Sequence, residues 1–296
     1  MNKHIIRNIG LVLAILGLAA CADETETIKR QDVKSTPMTF VVNHPGQTRA
    51  TATAFERDDM IGLYVADAKA PLEIGGNLVN NEALTFDGNK WAPNHTLYWD
   101  EGLFNAYAYY PYIKGISSIT DQPFSVSTDQ STARTATALG GYEASDLLFA
   151  TSKNIKASDS PVSLTFKHIM SKLKIRLIKG EDFEGDMPTD AKVYVHGTVP
   201  TATIDLQAGV ATRYVKGTRQ TIIAHQDGDT SFSAIIVPQR IDNRQPFIEV
   251  VMKGVSYLYE SKFQFKPGTE HLVNLVISEN PDQVSINIGS EIQNWQ

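Results

Sequence analysis

The chain of 296 residues sets 27 Lys and Arg against 33 Asp and Glu, for a net charge of −6, is 42% hydrophobic, and contains one cysteine. An acidic balance without basic clusters excludes nucleic acid as a partner, because the phosphate backbone demands grouped Lys and Arg. A lone thiol can neither close an intramolecular disulfide nor fill a zinc or iron–sulfur ligand set, so the fold must be held by packing.

The chain opens on a basic segment with Lys3 and Arg7, followed by an apolar run from Ile9 to Ala20. A membrane-spanning helix needs about 20 apolar residues, so this shorter run reads as the core of a secretory signal, residues 1–20. Small residues then lead into Cys21. The order Leu18-Ala19-Ala20-Cys21 resembles the bacterial lipobox, which implies cleavage between Ala20 and Cys21 and diacylglycerol on the thiol. The alternative is an ordinary signal peptide in which Cys21 is incidental. Cleavage removes two basic residues and no acidic one, leaving 25 against 33 and a mature charge of −8. Residues 21–36, including ADETETIKRQDVKS, are polar and aperiodic and form a flexible tether.

The remaining stretch is long for one core, and two domains are expected, at 37–156 and 157–296. Apolar residues recur at every second position in short runs. Met38, Phe40 and Val42 share a face in PMTFVVN; Tyr257, Tyr259, Phe263 and Phe265 do so in VSYLYESKFQF; Val284, Ile286, Ile288 and Ile292 do so near the end. Turn signals such as Lys266-Pro267-Gly268 and Asp227-Gly228-Asp229 separate the runs, so the chain is expected to be all-β, built of antiparallel β-sandwiches. One run changes phase. In LTFKHIMSKLKIRLI, Leu164, Phe166 and His168 are even-numbered but Leu173, Ile175 and Leu177 are odd-numbered. A bulge or single turn at 169–171 would carry this strand from one buried environment to another. The domain boundary is placed just before it, in the polar TSKNIKASDSP.

Enzyme signatures are missing: no nucleophile elbow, no paired metal-binding histidines, no phosphate or dinucleotide loop. No cofactor, metal or catalytic residue is assigned. His168 shares the face of Phe166 and reads as a hydrogen-bonded core histidine. The acids of GEDFEGDMPTD fail the EF-hand spacing and read as a solvated turn. The aromatics of 91–112, from Trp91 and Trp99 to Tyr112, could form a sugar-stacking platform. However, Phe104 and Tyr110 fall on one face and Tyr107 and Tyr109 on the other, as expected of a strand covered on both sides. Arg30 and Arg49 lie in exposed polar segments open to proteases.

TRATATAFERDDMIGLYVA (48–66), LYWDEGLFNAYAYYPY (97–112), SDLLFA (145–150), VSLTFKHIMSKLKIRLI (162–178) and EIQNWQ (291–296), taken together with the lipobox, resemble the fimbrillin family of Bacteroidales outer-membrane lipoproteins, the subunits of type V pili. The resemblance implies two transthyretin-like sandwiches in tandem. It also implies a lipid anchor on Cys21 in the outer membrane, and an arginine-specific protease that removes the lipidated end with the first strand. The groove so opened accepts a strand from another fimbrial subunit, by β-strand addition. Carried onto this chain, the removable strand is Met38, Phe40 and Val42, the cut falls between Arg49 and Ala50, and the donor is Val284, Ile286, Ile288 and Ile292. Asp23, Glu24 and Glu26 resemble a surface-export signal, interrupted by Thr25. The expected function is a non-enzymatic fimbrial subunit serving adhesion to a surface glycan or protein. The alternative is a glycan-binding surface lipoprotein that uses segment 91–112.

Overall fold

The computed structural model describes residues 36–45, 55–280 and 285–293. Ala20, Cys21, Arg30, Arg49, Ala50 and Val284 lie outside them. The first half forms β1 (Phe40–Asn43), β2 (Met60–Asp67), β3 (Val79–Phe86), β4 (Trp91–Pro93), β5 (Leu103–Tyr110) and β6 (Gln122–Ser125). A short helix, α1 (Gly141–Ser145), precedes β7 (Leu148–Lys156), β8 (Val162–Thr165) and β9 (Lys167–His168). The second half forms β10 (Ser171–Lys179), β11 (Lys192–Thr198), β12 (Thr201–Asp205), β13 (Val210–Arg213), β14 (Gln220–Ile223) and β15 (His225–Gly228). It closes with β16 (Ser231–Ile236), β17 (Gln239–Met252), β18 (Val255–Phe265), β19 (Thr269–Ile277) and β20 (Ser285–Gln293). The fold is all-β, as the alternating pattern requires.

A six-stranded antiparallel sheet, β4-β3-β2-β5-β7-β9, organises the first half. The apolar runs of its central strands β2 and β5 are nearly continuous because both faces are buried. On one face Ile61, Leu63, Val65, Phe104, Ala106, Ala108, Tyr110 and Leu148 enter a first core, closed by β1 and β8. On the other, Tyr64, Ala66, Tyr107, Tyr109 and Phe149 enter a second core, shared with the later strands. The division of β5 at alternate residues is the one its sequence predicts. Gly62 is needed for this double packing: a Cβ there would stand 2.3 Å from the Tyr109 ring.

The second core is enclosed by a five-stranded sheet, β15-β16-β10-β19-β20, a four-stranded sheet, β14-β11-β17-β18, and a three-stranded sheet, β13-β12-β6. Two pairings depart from the expected antiparallel order. β1 runs parallel to β8 and β10 runs parallel to β19, because each pair is joined by a long crossover and not by a hairpin.

The phase change in 162–178 has the expected meaning. Leu164 and Phe166 pack in the first core, whereas Ile169, Met170, Leu173, Ile175 and Leu177 pack in the second. Ile169 and Met170 fall between β9 and β10, where Ile169 N–H donates to Leu147 O at 3.1 Å and Gly268 N–H donates to Met170 O at 2.7 Å. The change of core therefore comes about a dozen residues after position 156. Thr151–Lys156, read as linker from its polarity, completes β7, and Val162–His168 pairs with β1 and β7. Polarity misled here because the outer end of β7 is a solvated strand end. Neither half is self-contained, since β6 pairs with β12 and brings Ile119 and Val126 to the second core. Both cores lie within one unit, Ser35–Gln296.

Phe166 is 2% exposed and its neighbour Lys167 points to solvent. Phe166→Ala is expected to cost about 3–5 kcal/mol in urea unfolding, and Lys167→Ala to change stability by less than about 0.5 kcal/mol.

Candidate functional site

The segment 36–45 closes the first core. Met38 is buried, Phe40 and Val42 are half-buried against the core, and Val41 points outward. Alternate side chains thus fill the core while the backbone is held at few places. Upstream, Met38 N–H donates to Leu97 O at 2.8 Å and Trp99 N–H donates to Thr36 O at 2.9 Å. Downstream, β1 lies in register with β8 from Phe40↔Val162 to Asn43↔Thr165, and among the described residues β8 is its only partner strand. The same core holds Leu97, Trp99, Leu164 and Phe166. Without β1, these side chains would line an apolar trough beside the free edge of β8.

His44 lies next to the end of this segment. Its ring meets Phe55 edge-on at 4.8 Å and His168 at 6.1 Å between centroids. His168 is buried and its Nδ1 lies 2.8 Å from Asp146 Oδ1, the hydrogen-bonded core role read from its position. Burial, and after it the neighbouring His168, pushes the His44 pKa down to about 4. Phe55 packs edge-on against Trp91, Tyr110 and Phe166, so the described residues on both sides of 46–54 are anchored on the first core. Arg134 fastens the same region: its Nη1 lies 2.8 Å from Asp59 Oδ1, and its Nη2 donates to Arg57 O at 3.3 Å. Sequence reasoning missed this latch, since Asp59 and Arg134 are far apart in the chain and share no local pattern.

The tail forms β20, at the edge of the five-stranded sheet, antiparallel to β19 from Thr269↔Gln293 to Val276↔Ser285. Ile286 is half-buried against the second core. The backbones of Ile288 and Ile292 pair with Val273 and Glu270, and their side chains fall outside the described set. An ion pair between Lys266 and Glu291 ties the strand to the β18–β19 turn, and this lysine holds the Glu291 carboxyl below the usual carboxylate range. The tail thus completes a sheet of its own chain, and the first strand and the tail serve different cores.

The aromatics of 91–112 are largely internal. Trp99, Phe104, Tyr107, Tyr109 and Tyr110 are buried, and Tyr109 Oη donates to Asn81 Oδ1 at 2.6 Å. Trp91 stacks on Phe86 at 5.1 Å, and Tyr98 is 48% exposed, so this segment offers no continuous flat platform. In the acidic loop, Asp182 Oδ2 accepts the Glu279 N–H at 3.3 Å and Lys179 Nζ donates to Gly185 O at 2.6 Å, contacts that tie a surface turn. Among the described residues no helix is long and apolar enough to cross a membrane.

A double-faced sheet feeding two cores, with a first strand held mainly along one edge, defines an all-β protein whose first strand is peripheral to its body. The fimbrillin-like family model matches residues 48–295, and the chain belongs to that family. A provisionally assigned fimbrium tip subunit of Bacteroides ovatus, Fim1C, is 25% identical over 200 residues, 60% of this chain; the chain spans 36% of that relative's length. A provisionally assigned cell-adhesion protein of Bacteroides ovatus shares the fold at a TM-score of 0.68 and 20% identity, over 88% of this chain and 98% of that one. Another from Bacteroides uniformis does so at 0.65 and 21%, over 88% and 100%.

The depressed His44 pKa makes stability depend on pH with a definite sign. Between about 6.5 and about 4 the unfolded chain binds this proton and the native one does not, so stability falls as pH falls through that window. His44→Gln is expected to flatten the decline in melting temperature over this range. An unchanged decline would show that His44 stays solvated.

Proposed function

We propose that this chain is a structural subunit of a cell-surface fimbria, with no enzymatic role, exported as a lipoprotein through Cys21 and serving adhesion. Assembly proceeds by strand exchange. The observation that carries the reading is the attachment of segment 36–45, whose alternate side chains fill a core while its backbone pairs with one strand and with the 97–99 segment. An incoming strand with the same alternation could replace it, and main-chain hydrogen bonds to β8 would supply the affinity. The family match begins at residue 48 and so leaves out this segment, which supports treating it as separable. Cleavage between Arg49 and Ala50 by an arginine-specific protease would release Met38, Phe40 and Val42 together with the lipidated end.

The donor in this reading is the tail, Val284, Ile286, Ile288 and Ile292. It must first leave β19, so donation is a swap of one sheet partner for another. Its edge position makes that feasible, since among the described residues β20 pairs with β19 alone. The partners are other fimbrial subunits, the outer membrane during export, and a glycan or protein on the surface to which the fimbria adheres. For organisation, the reading places the division between two sandwich-like halves near 168, where the chain changes core.

Two variants test the proposal. Arg49→Ala should leave the N-terminus of surface fibres at Cys21 where the unaltered chain begins at Ala50, read by mass spectrometry of isolated fibres; an Ala50 start in the variant would overturn the cleavage step. Deletion of residues 284–296 should abolish polymers while leaving a folded body by circular dichroism. Polymers of normal length would remove the tail from the donor role.

A further inference from the structure

The outward face of the four-stranded sheet carries an unbroken hydrogen-bonded row, one residue from each strand. His196 on β11 has Nδ1 2.9 Å from Thr221 Oγ1 on β14 and Nε2 2.9 Å from Glu249 Oε2 on β17. Ser256 Oγ on β18 donates to the other carboxylate oxygen, Glu249 Oε1, at 2.6 Å. The Ser256 bond, and next the contact with His196, holds the Glu249 carboxyl below its usual range.

Beside this row the sheet is irregular on both sides. The register of β11 against β14 shifts between Val195 and Thr198, and that of β17 against β18 shifts between Pro246 and Ile248. Gly197, at φ +71°, sits in the first shift, and the Gln245 amide fills the space where its Cβ would be. Paired irregularities of this kind re-aim side chains and recur beside binding sites. Here they open a hollow of about 400 Å³, lined by His196, Gly197, Gln245, Pro246, Glu249 and Leu258. That volume lies within the range of small-molecule sites.

The lining has a definite chemistry. Gln245 Oε1 accepts from Arg219 at 2.8 Å, which orients the amide and leaves Nε2 buried without an acceptor. Glu249 has lone pairs beyond the two it uses. The hollow therefore joins a carboxylate acceptor, an imidazole and the apolar surfaces of Pro246 and of Leu258, which is 44% exposed. Around Gln245 and Glu249 one carboxylate, Glu249, stands against one guanidinium, Arg219, so neither sign of charge dominates. A ligand with adjacent hydroxyls on one edge and a C–H face on the other meets these demands together.

We propose that this hollow binds a neutral sugar residue, with its hydroxyls on Glu249 and its apolar face on Leu258 and Pro246. The site uses no residue of β1 or β20 and none of segment 91–112, so it stands independently of the assembly reading. The test is saturation-transfer NMR with calorimetry on the full chain, using glucose, galactose, mannose and N-acetylglucosamine, with glucosamine and glucuronate as charged counter-probes. Saturable binding of at least one neutral sugar is expected. Loss of a charge-assisted hydrogen bond in Glu249→Gln should weaken it about tenfold or more. Leu258→Ala, at an exposed position that cannot disturb the core, should weaken it several-fold, and Trp91→Ala should leave it unchanged. The proposal is overturned if no neutral sugar binds, if a charged probe binds better, or if binding survives both Glu249→Gln and Leu258→Ala.

Discussion

The burial of both faces of one sheet is the constraint on which the rest of this structure depends. In β2, β5 and β7, successive side chains serve different cores: Ile61, Leu63 and Leu148 lie on one side, and Tyr64, Tyr109 and Phe149 on the other. Each such side chain contributes about 1.5–3 kcal/mol when fully buried. A one-residue slip would exchange every member of the two sets, placing tyrosines where isoleucine and leucine fit. Register is thereby fixed without a disulfide. The same constraint explains Gly62 and Gly209, whose missing side chains admit the rings of Tyr109 and Phe149.

Because the central strands are committed on both faces, exchangeable parts can lie only at the periphery. Segment 36–45 and β20 are two such peripheral elements, and they are attached in different ways. Segment 36–45 fills the first core with side chains but bonds to the body through one parallel strand and the 97–99 segment. β20 extends an existing sheet along nearly its whole length and is further tied by Lys266 and Glu291. The first is a plug; the second is an edge. Loss of the plug would expose apolar side chains, whereas loss of β20 would uncover the edge of β19.

Alternation was legible in the sequence wherever one face of a strand is buried, as in Tyr257, Tyr259, Phe263 and Phe265. Double burial was legible in β5, because Phe104 and Tyr110 stand at even positions and the tyrosines between them at odd ones. The phase change before Leu173 located the passage between cores better than composition did: the polar Thr151–Lys156 marks a solvated strand end and not a boundary. Long-range choices left no local trace. Nothing near Arg134 points to Asp59, nothing in PMTFVVN names β8 as its partner, and the alignment of Thr221, His196, Glu249 and Ser256 arises only when four strands take register.

The central claim is that the first strand is a plug held more weakly than the body it closes. Native-state hydrogen exchange measures this directly, because opening free energies differ between cooperative units of one structure. The amides of Met38 and Trp99, together with Val162 and Phe166, which donate to Thr39 and Asn43, should exchange together through a low-energy opening. Those of Leu63 and Ala108, in the doubly buried sheet, should exchange only with global unfolding. Equal protection of the two groups would contradict the account, because the first strand would then be as fixed as the sheet it covers.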